Sequence, residues 1–522
     1  MKKTSDTQHH QQGNILPFRM PGWNKPGNTL ILLACCIVTA ATQGYDGAMM
    51  AGLNIMPQYN DYFQLTTTTQ SLNIATIYMG GCIACICWGW LTDLYGRRVT
   101  LFYAALITVL AAMIQAAAQN VAMFCIARIL IGFGTTASAI TGPAYLAETL
   151  PWNQRAWGLA LFDDLFYVGA LTAAGVTYGT SQMEGNWAWR LPSLLQGFWG
   201  FACIFILPWM PESPRWLIDM GRHDEALAVL GAINADGDTT NDLVRLQFCE
   251  ICDTIGYERD PLPWKKILKS RGSRKRLVIT LTCAFFSMIM GNQLTQYQIG
   301  RVLEHAGLTN EKSQMIVNIG LNGLTLIISI IGTIYTDQAG AKSAALVSTA
   351  GLTISLFIIG GLTLTYGTTD YAPGIYATVA MIFVFSASFG FGWIPILFLI
   401  PAEMLNFSIR ASGMGMFSFV INVTGIWANF AFPFGLNRIG WKLYMINGAW
   451  NVAIFAFIWY YWVEVKGKTL EEIDVVFDGV KHSSVPDVGM VISGRVDGDW
   501  KEVVAHWVKK RCPVQAGDDV SA

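Results

Sequence analysis

Charged residues are scarce in this chain of 522 residues. Only 13% of the residues are Asp, Glu, Lys or Arg, while 53% are hydrophobic, and an average soluble domain has about 25% charged residues. The composition excludes an ordinary soluble protein and indicates a membrane protein. The net charge of −1 does not indicate a nucleic-acid partner, and the distribution of positive residues among the loops is the informative quantity.

Signatures of enzymes and nucleotide-binding proteins are also missing. The sequence has no metal-ligand cluster and no nucleophile with a neighbouring base, so we expect neither an enzyme nor a cofactor. The Gly-Lys-Thr sequence at 467–469 lacks the phosphate-loop glycine five residues earlier, where Trp462 stands. Cys249 and Cys252 have C-x-x-C spacing, but no second pair completes a zinc site. Most of the eleven cysteines lie in apolar runs, where we expect small apolar side chains rather than a disulfide framework.

Apolar runs of about 20 residues, the length needed to cross a bilayer, recur along the chain. We predict an all-α membrane protein with twelve transmembrane helices in two six-helix bundles. The predicted spans are Thr29–Asn54, Ser71–Leu91, Val99–Ala118, Met123–Tyr145, Trp157–Tyr178, Pro192–Trp209, Val278–Gly300, Met315–Tyr335, Ala344–Tyr366, Tyr376–Ile400, Met414–Phe434 and Leu443–Val463.

These spans divide the chain into five regions. They are an N-terminal tail (1–28), a first bundle (29–210), a linker (211–276), a second bundle (277–463) and a C-terminal tail (464–522). Lys and Arg cluster in alternate loops, which places both tails and the linker in the cytoplasm. Helical spacing of apolar residues predicts short amphipathic helices in the linker at Asp224–Ile233 and Asp242–Ile255.

The two halves carry matching landmarks. The pattern E-x6-R-A-x-G begins at Glu148 and again at Glu403, and the motif at 93–98 has a weaker counterpart at 337–342. Parallel repeats of six spans, with a substrate site between the halves near the membrane midplane, are typical of one class of secondary transporter. The repeat therefore predicts a site between the two bundles.

Several short motifs follow one another in a characteristic order between Thr29 and Phe477. They are Gly44-Tyr45-Asp46-Gly47, Asp93-x-x-Gly96-Arg97-Arg98, Arg128-x-x-x-Gly132-x-Gly134, Glu148 to Arg155, Trp189-Arg190-Leu191-Pro192-Ser193, Pro211 to Leu217, Pro401-Ala402-Glu403 with Arg410, and Glu464 to Glu472. In this order and spacing the sequence resembles the sugar porter family of the major facilitator superfamily, especially its fungal lactose and hexose permease-like members. The resemblance implies a major facilitator fold and transport by alternating access.

Asp46 lies within the first predicted span, where a charged carboxylate costs about 3 kcal/mol and marks a candidate functional site. In the proton-coupled transporters that this sequence resembles, an Asp of the first helix adjoins an Arg of the fourth, which implies Arg128 as its partner. The guanidinium favours the charged carboxylate and desolvation opposes it, so conformational changes can load or release a proton. We therefore predict proton coupling by Asp46 and Arg128. The alternative is a permanent ion pair that only helps helix packing.

The resemblance also implies a charge network at the cytoplasmic helix ends, which closes the inner face and breaks as that face opens. The implied gate residues are Asp93, Gly96, Arg97, Arg98, Glu148, Arg155, Glu212, Arg215, Asp337, Glu403, Arg410 and Glu464. The alternative is constitutive topological charge. In the second half Gly-Ala-Lys replaces the usual Gly-Arg-Arg, which predicts a weaker latch on that side.

Amide and aromatic side chains are the substrate-binding candidates, because a sugar hydroxyl is both donor and acceptor. Gln293, Gln296 and Tyr297 share one face of the seventh predicted helix. The full set is Asn292, Gln293, Gln296, Tyr297, Asn318, Asn322, Trp393, Trp427 and Asn429, with Asp163 and Asp164 of the fifth span. Each amide singly could equally tie helices together. Together they favour a neutral polyhydroxyl ligand.

Two regions depart from the family pattern. The residues at 287–290, Ser-Met-Ile-Met, stand where the family usually has a glutamine, and Asp163 and Asp164 replace the usual amide of the fifth span. One acid replaces the amide as a hydroxyl acceptor or titrates during transport; the alternative is that one simply faces a water-filled cavity. An unusual sugar, glycoside or polyol is therefore compatible with the sequence.

The leading prediction is a monomeric, proton-coupled importer of a mono- or disaccharide or a related polyol. Its expected partners are the substrate, a proton and the lipid bilayer, and the family implies the plasma membrane. One alternative is a transporter of another small molecule, such as an organic acid or a secondary metabolite. Another is a non-transporting nutrient sensor, which the short tail at 464–522 disfavours because such sensors usually carry a long one.

Overall fold

The computed structural model describes residues 27–150, 162–235, 237–258, 270–297, 299–367, 371–405, 407–464 and Phe477. In these ranges the regular secondary structure is helical throughout, with no strand. The helices before the linker are α1 (Gly27–Ile55), α2 (Pro57–Phe63), α3 (Thr67–Tyr95), α4 (Arg97–Ala116), α5 (Val121–Thr149), α6 (Phe166–Thr180), α7 (Trp187–Leu195) and α8 (Gly197–Ile206), which a 3-10 turn at Leu207–Trp209 extends.

The linker and the second half are also helical. They contain α9 (Pro214–Asp219), α10 (His223–Asn234), α11 (Asp242–Glu258), α12 (Arg271–Ile289), α13 (Asn292–Tyr297), α14 (Ile299–His305), α15 (Glu311–Ala339), α16 (Ala341–Tyr366), α17 (Ala372–Met404), α18 (Phe407–Ile439) and α19 (Lys442–Tyr461). Helices α10 and α11 lie where the linker sequence predicts amphipathic helices.

Nine helical segments of the described chain are long and apolar enough to cross a membrane. They are α3, α4, α5, the α7–α8 segment and α15 to α19. The first and seventh predicted spans correspond to α1 and the stretch from α12 to α14. The described part of the fifth contains α6, and its residues 157–161 lie outside the described residues. The fold class predicted from the sequence is confirmed, and the protein is a multi-pass membrane protein.

The seventh span differs from its prediction as one continuous helix. It breaks after α12, where Gly291 has a φ of +101°, a backbone conformation that favours glycine. The carbonyl of Met290 accepts a hydrogen bond from Asn451 Nδ2 at 3.3 Å, which satisfies a carbonyl at the end of the helix. The break gives the amides of α13 a different direction from the one expected on an uninterrupted helix.

Close helix contacts rely on glycines. A Cβ at Gly44 of α1 would lie 1.7 Å from the carbonyl oxygen of Phe166, and one at Gly132 of α5 would lie 1.9 Å from that of Ile77 in α3. Only a residue without a side chain allows the backbones to approach this closely. Within the first half, α1 therefore packs on α6, and α3 packs on α5.

The two halves meet along two helix pairs, with α3 against α18 and α6 against α15. Because successive spans run in alternate directions, Asp93, Glu148 and Glu464 lie at one end of the bundle, which we call the Asp93 end. The opposite end, with α2, is called the far end. The functional site lies between the halves.

Candidate functional site

A central cavity of about 230 Å³ lies between the halves. Its polar lining comes from Gln43, Asp46, Tyr78, Thr135, Thr136, Asp163, Ser287, Asn292, Gln293, Ser418 and Asn422. Its aromatic lining comes from Phe162, Phe166, Tyr167, Phe389, Trp393 and Phe398. Concave sites that combine apolar walls with a few polar groups are typical of small-molecule binding.

The cavity extends from the middle of the bundle towards the Asp93 end. Helix α17 lines it with residues 389–398, and α5 lines it with residues 135–139, in both cases the half of the helix that runs to the Asp93 end. At the far end the halves touch: Asn437 Nδ2 donates to Thr67 Oγ1 at 3.0 Å, and Arg301 donates to Gln70 Oε1. The far end is therefore the closed end.

Asp46 and Arg128 form a buried ion pair. Arg128 Nη1 donates to Asp46 Oδ1, and Arg128 is 0% exposed while Asp46 is 2% exposed. Arg128 Nε donates to the carbonyl oxygen of Asn73 at 3.2 Å. Asp46 also lines the central cavity, so the structure places this ion pair at the cavity wall.

A third member of this cluster, Gln196, was not predicted. Its Nε2 donates to Asp46 Oδ1 at 2.6 Å, from the turn between α7 and α8. The sequence feature that could have identified Gln196 is a single amide in the middle of an apolar span. The same criterion selected the amides of the second half. With two donors on one oxygen, the Asp46 carboxylate has the partners that a buried charge needs.

Aromatic rings separate this cluster from the far end. Tyr59 of α2 accepts a hydrogen bond from Asn73 Nδ2 at 2.9 Å. Its ring centroid lies 5.5 Å from that of Phe124 and 6.2 Å from that of Trp189. All three aromatic side chains are 0% exposed. The cavity, rather than the far end, is therefore the side from which Asp46 is reached.

The substrate candidates of α13 and α18 meet at the cavity. Gln293 Oε1 accepts from Tyr78 Oη at 3.3 Å and from Asn429 Nδ2 at 3.4 Å. Tyr78 belongs to the first half, so this amide joins the halves as well as lining the cavity beside Asn292. The side chains of Gln296 and Tyr297 lie outside the described residues.

Asn318 and Asn322 line a smaller adjoining pocket of about 30 Å³ rather than the main cavity. Asn322 Nδ2 donates to Asn318 Oδ1 at 3.1 Å and to the Asn318 carbonyl at 2.8 Å. Gly47 and Asn292 line the same pocket. These amides are thus neighbours of the site, with part of their hydrogen-bonding capacity used within α15.

The two candidate tryptophans lie in different surroundings. Trp393 is 0% exposed, lines the cavity, and donates from Nε1 to Thr349 Oγ1 at 3.1 Å. Trp427 is 57% exposed on the outer surface, so its prediction as a cavity residue is wrong. Asn429 is 1% exposed, and residues two apart on a helix do not share a face. Asn429 faces Gln293 in the interior, which turns Trp427 to the outside.

Asp163 and Asp164 are buried just before α6, with 8% and 1% exposure. Asp163 lines the cavity. Asp164 Oδ2 accepts a hydrogen bond from Thr333 Oγ1 of α15 at 2.8 Å. The structure thus places Asp163 where a ligand can reach it, whereas Asp164 contacts the second half directly.

The predicted gate residues of the first half form a connected network. Arg97 Nε lies 3.1 Å from Glu148 Oε2, and Arg97 Nη1 lies 3.4 Å from Asp93 Oδ1. Ser213 Oγ donates to the same Glu148 oxygen. Because Arg97 and Glu148 are mostly buried, with 14% and 12% of their side chains exposed, their pair is better protected from solvent screening than an ordinary surface pair.

Glu212 caps the start of α4. Its Oε1 accepts from the backbone amides of Arg97 at 2.9 Å and Arg98 at 3.1 Å, and a carboxylate is favourable at a helix N-terminus. A Cβ at Gly96 (φ +91°) would lie 2.7 Å from Glu212 Oε2. Burial raises the pKa of Glu212 above its ordinary value, while the amides of Ser213 and Arg98 lower it.

The second half repeats this arrangement. Glu464 Oε2 accepts from the backbone amide of Lys342 at 3.0 Å, and a Cβ at Gly340 (φ +94°) would meet a Glu464 oxygen at 2.6 Å. Lys342 Nζ donates to the Trp462 carbonyl at 2.7 Å. Asp337 is exposed and Arg215 is half-buried. Arg155 and the side chains of Glu403 and Arg410 lie outside the described residues.

Comparison with known proteins gives a family match over most of the chain. The model of the family described as "Sugar (and other) transporter" matches residues 32–477. The high-affinity glucose transporter of Kluyveromyces lactis is 26% identical, covering 85% of this chain and 83% of that protein. The MFS-type transporter oryC of Aspergillus oryzae is 25% identical, covering 85% of each chain.

The fold matches solved structures of one transporter. The proton:xylose symporter XylE bound to 6-bromo-6-deoxy-D-glucose matches with a TM-score of 0.73 and 19% identity over 86% of this chain and 99% of that chain. The inward-open conformation of XylE from E. coli matches with a TM-score of 0.69 and 20% identity over the same shares of the two chains. At these identities the likeness shows the major facilitator fold.

Proposed function

Because the chain belongs to the sugar (and other) transporter family, we propose that it carries a sugar or related polyol together with a proton by alternating access. The family is one of transporters and not of enzymes. The observation that carries the proton coupling is the Asp46–Arg128 pair, which is buried, shares a wall with the cavity, and has Gln196 as a further donor.

The coupling follows from charge balance. In the described conformation Arg128 neutralises the Asp46 carboxylate, and a small displacement of α1 relative to α5 leaves both charges buried and unpaired. Protonation of Asp46 removes one of these charges at once. Movement of the helices and binding of a proton are therefore linked, which is the requirement for symport.

The described conformation faces the Asp93 end. The positive loops lie at that end, so we place it in the cytoplasm, with both termini, and we assign the protein to the plasma membrane as a monomer. The cavity then extends towards the cytoplasm, with the far end closed on the outside, while the contact of Asp164 with Thr333 joins the halves beside it. The contacts of Arg97 with Glu148 and of Glu464 with Lys342 are formed in this conformation, and each lies within one half. We infer that they hold the cytoplasmic end of each half together.

The polar lining supports a neutral polyhydroxyl ligand. Asn292 and Gln293 offer donors and acceptors beside the buried ring of Trp393, the combination that hydroxyls and the apolar face of a sugar ring require. Relatives with glucose transporter in their names agree with this class. A second candidate is a less polar small molecule, because Ser287 and Met288 line the wall where the family usually has an amide.

Uptake of labelled glucose, cellobiose and lactose in a transporter-deficient yeast, with external pH recorded, tests the proposal. We expect sugar entry to alkalinise the medium. Asp46→Asn should abolish accumulation but retain exchange of labelled for unlabelled sugar. Asp61→Asn makes the same chemical change at an exposed position of α2 and should leave both unchanged. Accumulation by Asp46→Asn equal to that of the natural protein would refute the coupling role.

A further inference from the structure

The first half contains a second pair of buried acids, Asp163 and Asp164, that the Asp46 cluster does not use. Asp163 lines the same cavity as Asp46. Among the described residues neither acid forms an ion pair with Lys, Arg or His. This differs from Asp46, whose charge is matched by Arg128.

The groups that do contact the pair are neutral and belong to the second half. Thr333 Oγ1 of α15 donates to Asp164 Oδ2 at 2.8 Å, and the backbone amide of Phe398 in α17 lies against the Asp163 carboxyl. The thiol of Cys283 in α12 is a further titratable neighbour of Asp163, and it brings no positive charge. Asp164 Oδ1 is buried without a hydrogen-bond partner among the described residues.

Two carboxylates on adjacent residues cannot both stay charged in this setting. Each is removed from water, the two repel each other, and the hydroxyl and amide dipoles at hand supply no full positive charge. A buried acid without a counter-charge becomes neutral by taking up a proton. One carboxyl of the pair is then protonated, and the other remains an acceptor.

We propose that the Asp163–Asp164 pair is a second proton-binding site of this protein, which is loaded while residues 163–164, just before α6, lie against α15 and α17 and is emptied when the halves separate there. This inference extends the proposed coupling at Asp46. On loading, an O–H bond of a hydronium ion breaks as the carboxyl O–H bond forms, and on release the carboxyl O–H bond breaks as the proton returns to water. Separation of Asp164 from Thr333 and of Asp163 from Phe398 hydrates both acids, which restores their charges.

Infrared spectroscopy of the purified full-length protein in lipid nanodiscs tests this without a substrate. A protonated carboxyl has a C=O stretching band that carboxylates lack and that shifts in D2O. We expect the natural protein to show this band at neutral pH and Asp163→Asn combined with Asp164→Asn to lose it. Asp46→Asn should keep the band, since Asp46 is charged in its pair with Arg128.

The single variants locate the proton. Loss of the band in one of the single variants, Asp163→Asn or Asp164→Asn, assigns the proton to that residue. Loss of the band only in the double variant assigns the proton to the pair. Each of these three outcomes supports the proposal. Absence of the band in the natural protein overturns the proposal, and this measurement does not depend on the folding of any variant. A band of unchanged size in a folded double variant overturns it too.

The proton count per transported molecule separates this inference from the proposed function. In proteoliposomes, the reversal potential of substrate flux gives that count, and we expect the double variant to carry one proton fewer than the natural protein. If the natural protein shows the infrared band but moves no proton with any sugar, the symport proposal fails while the carboxyl site stands. If Asp46→Asn alone removes the band, the second site is refuted.

Discussion

The Asp46–Arg128 pair gives a quantitative test of how this fold handles buried charge. Asp46→Asn leaves the guanidinium of Arg128 fully buried, with Nε bonded to the Asn73 carbonyl but no counter-charge. Removing one partner of a buried ion pair costs about 3–5 kcal/mol, because the remaining charge is uncompensated. We expect a loss of this size in the free energy of unfolding, and a similar loss for Arg128→Gln.

The double variant Asp46→Asn with Arg128→Gln should be more stable than either single variant. It leaves amides in both positions and no unpaired charge, and the glutamine introduced at position 128 can still donate to the Asn73 carbonyl. Replacing both members of a buried pair is often close to neutral in stability. Transport accumulation should nevertheless stay absent in the double variant, because it has no carboxyl to protonate at this position.

Thermal and denaturant unfolding in detergent micelles, read out by tryptophan fluorescence, measures these differences. The exposed pair Arg222–Glu225, at 2.5 Å with 34% and 54% side-chain exposure, is the matched control. Its double-mutant cycle should give at most about 1 kcal/mol, as surface pairs do. The reasoning is refuted if Asp46→Asn is as stable as the natural protein, or if the double variant is the least stable of the three.

Two further predictions use matched pairs of substitutions. Trp393→Ala should abolish or strongly weaken substrate binding, measured by isothermal titration or counterflow. Trp427→Ala on the outer surface should leave the affinity within about twofold of the natural value, the range expected for a substitution away from the site. Equal losses of affinity in the two variants would place Trp427 back in the site. Gly44→Ala forces a Cβ to within 1.7 Å of the Phe166 carbonyl and should lower both the Tm and the yield of folded protein. Gly175→Ala, with nothing within 4 Å of its added Cβ, should stabilise α6 by up to about 1 kcal/mol, and a Tm loss as large as that of Gly44→Ala would contradict the packing argument.

The sequence determined the membrane class, the order of the spans and the candidate charge pair. Each of these depends on local composition. The hydropathy of an apolar run predicts that it inserts into the membrane, and positive residues indicate the side of the membrane on which their loop lies. Asp46 is recognisable because a carboxylate in such a run is unfavourable wherever the helix packs. The amphipathic helices of the linker follow from periodicity alone.

The tertiary structure decided which polar groups meet. Gln196 and Asp46 are far apart in sequence and come together only because α1 packs against the α7–α8 segment. Trp393 and Trp427 are equally plausible by composition, and only the rotation of each helix about its axis distinguishes them. The pairing of Asp164 with Thr333 depends on the contact between the halves. Hydropathy fixes where a helix lies along the membrane normal, whereas its rotation and neighbours are set by packing against residues that the local sequence does not contain.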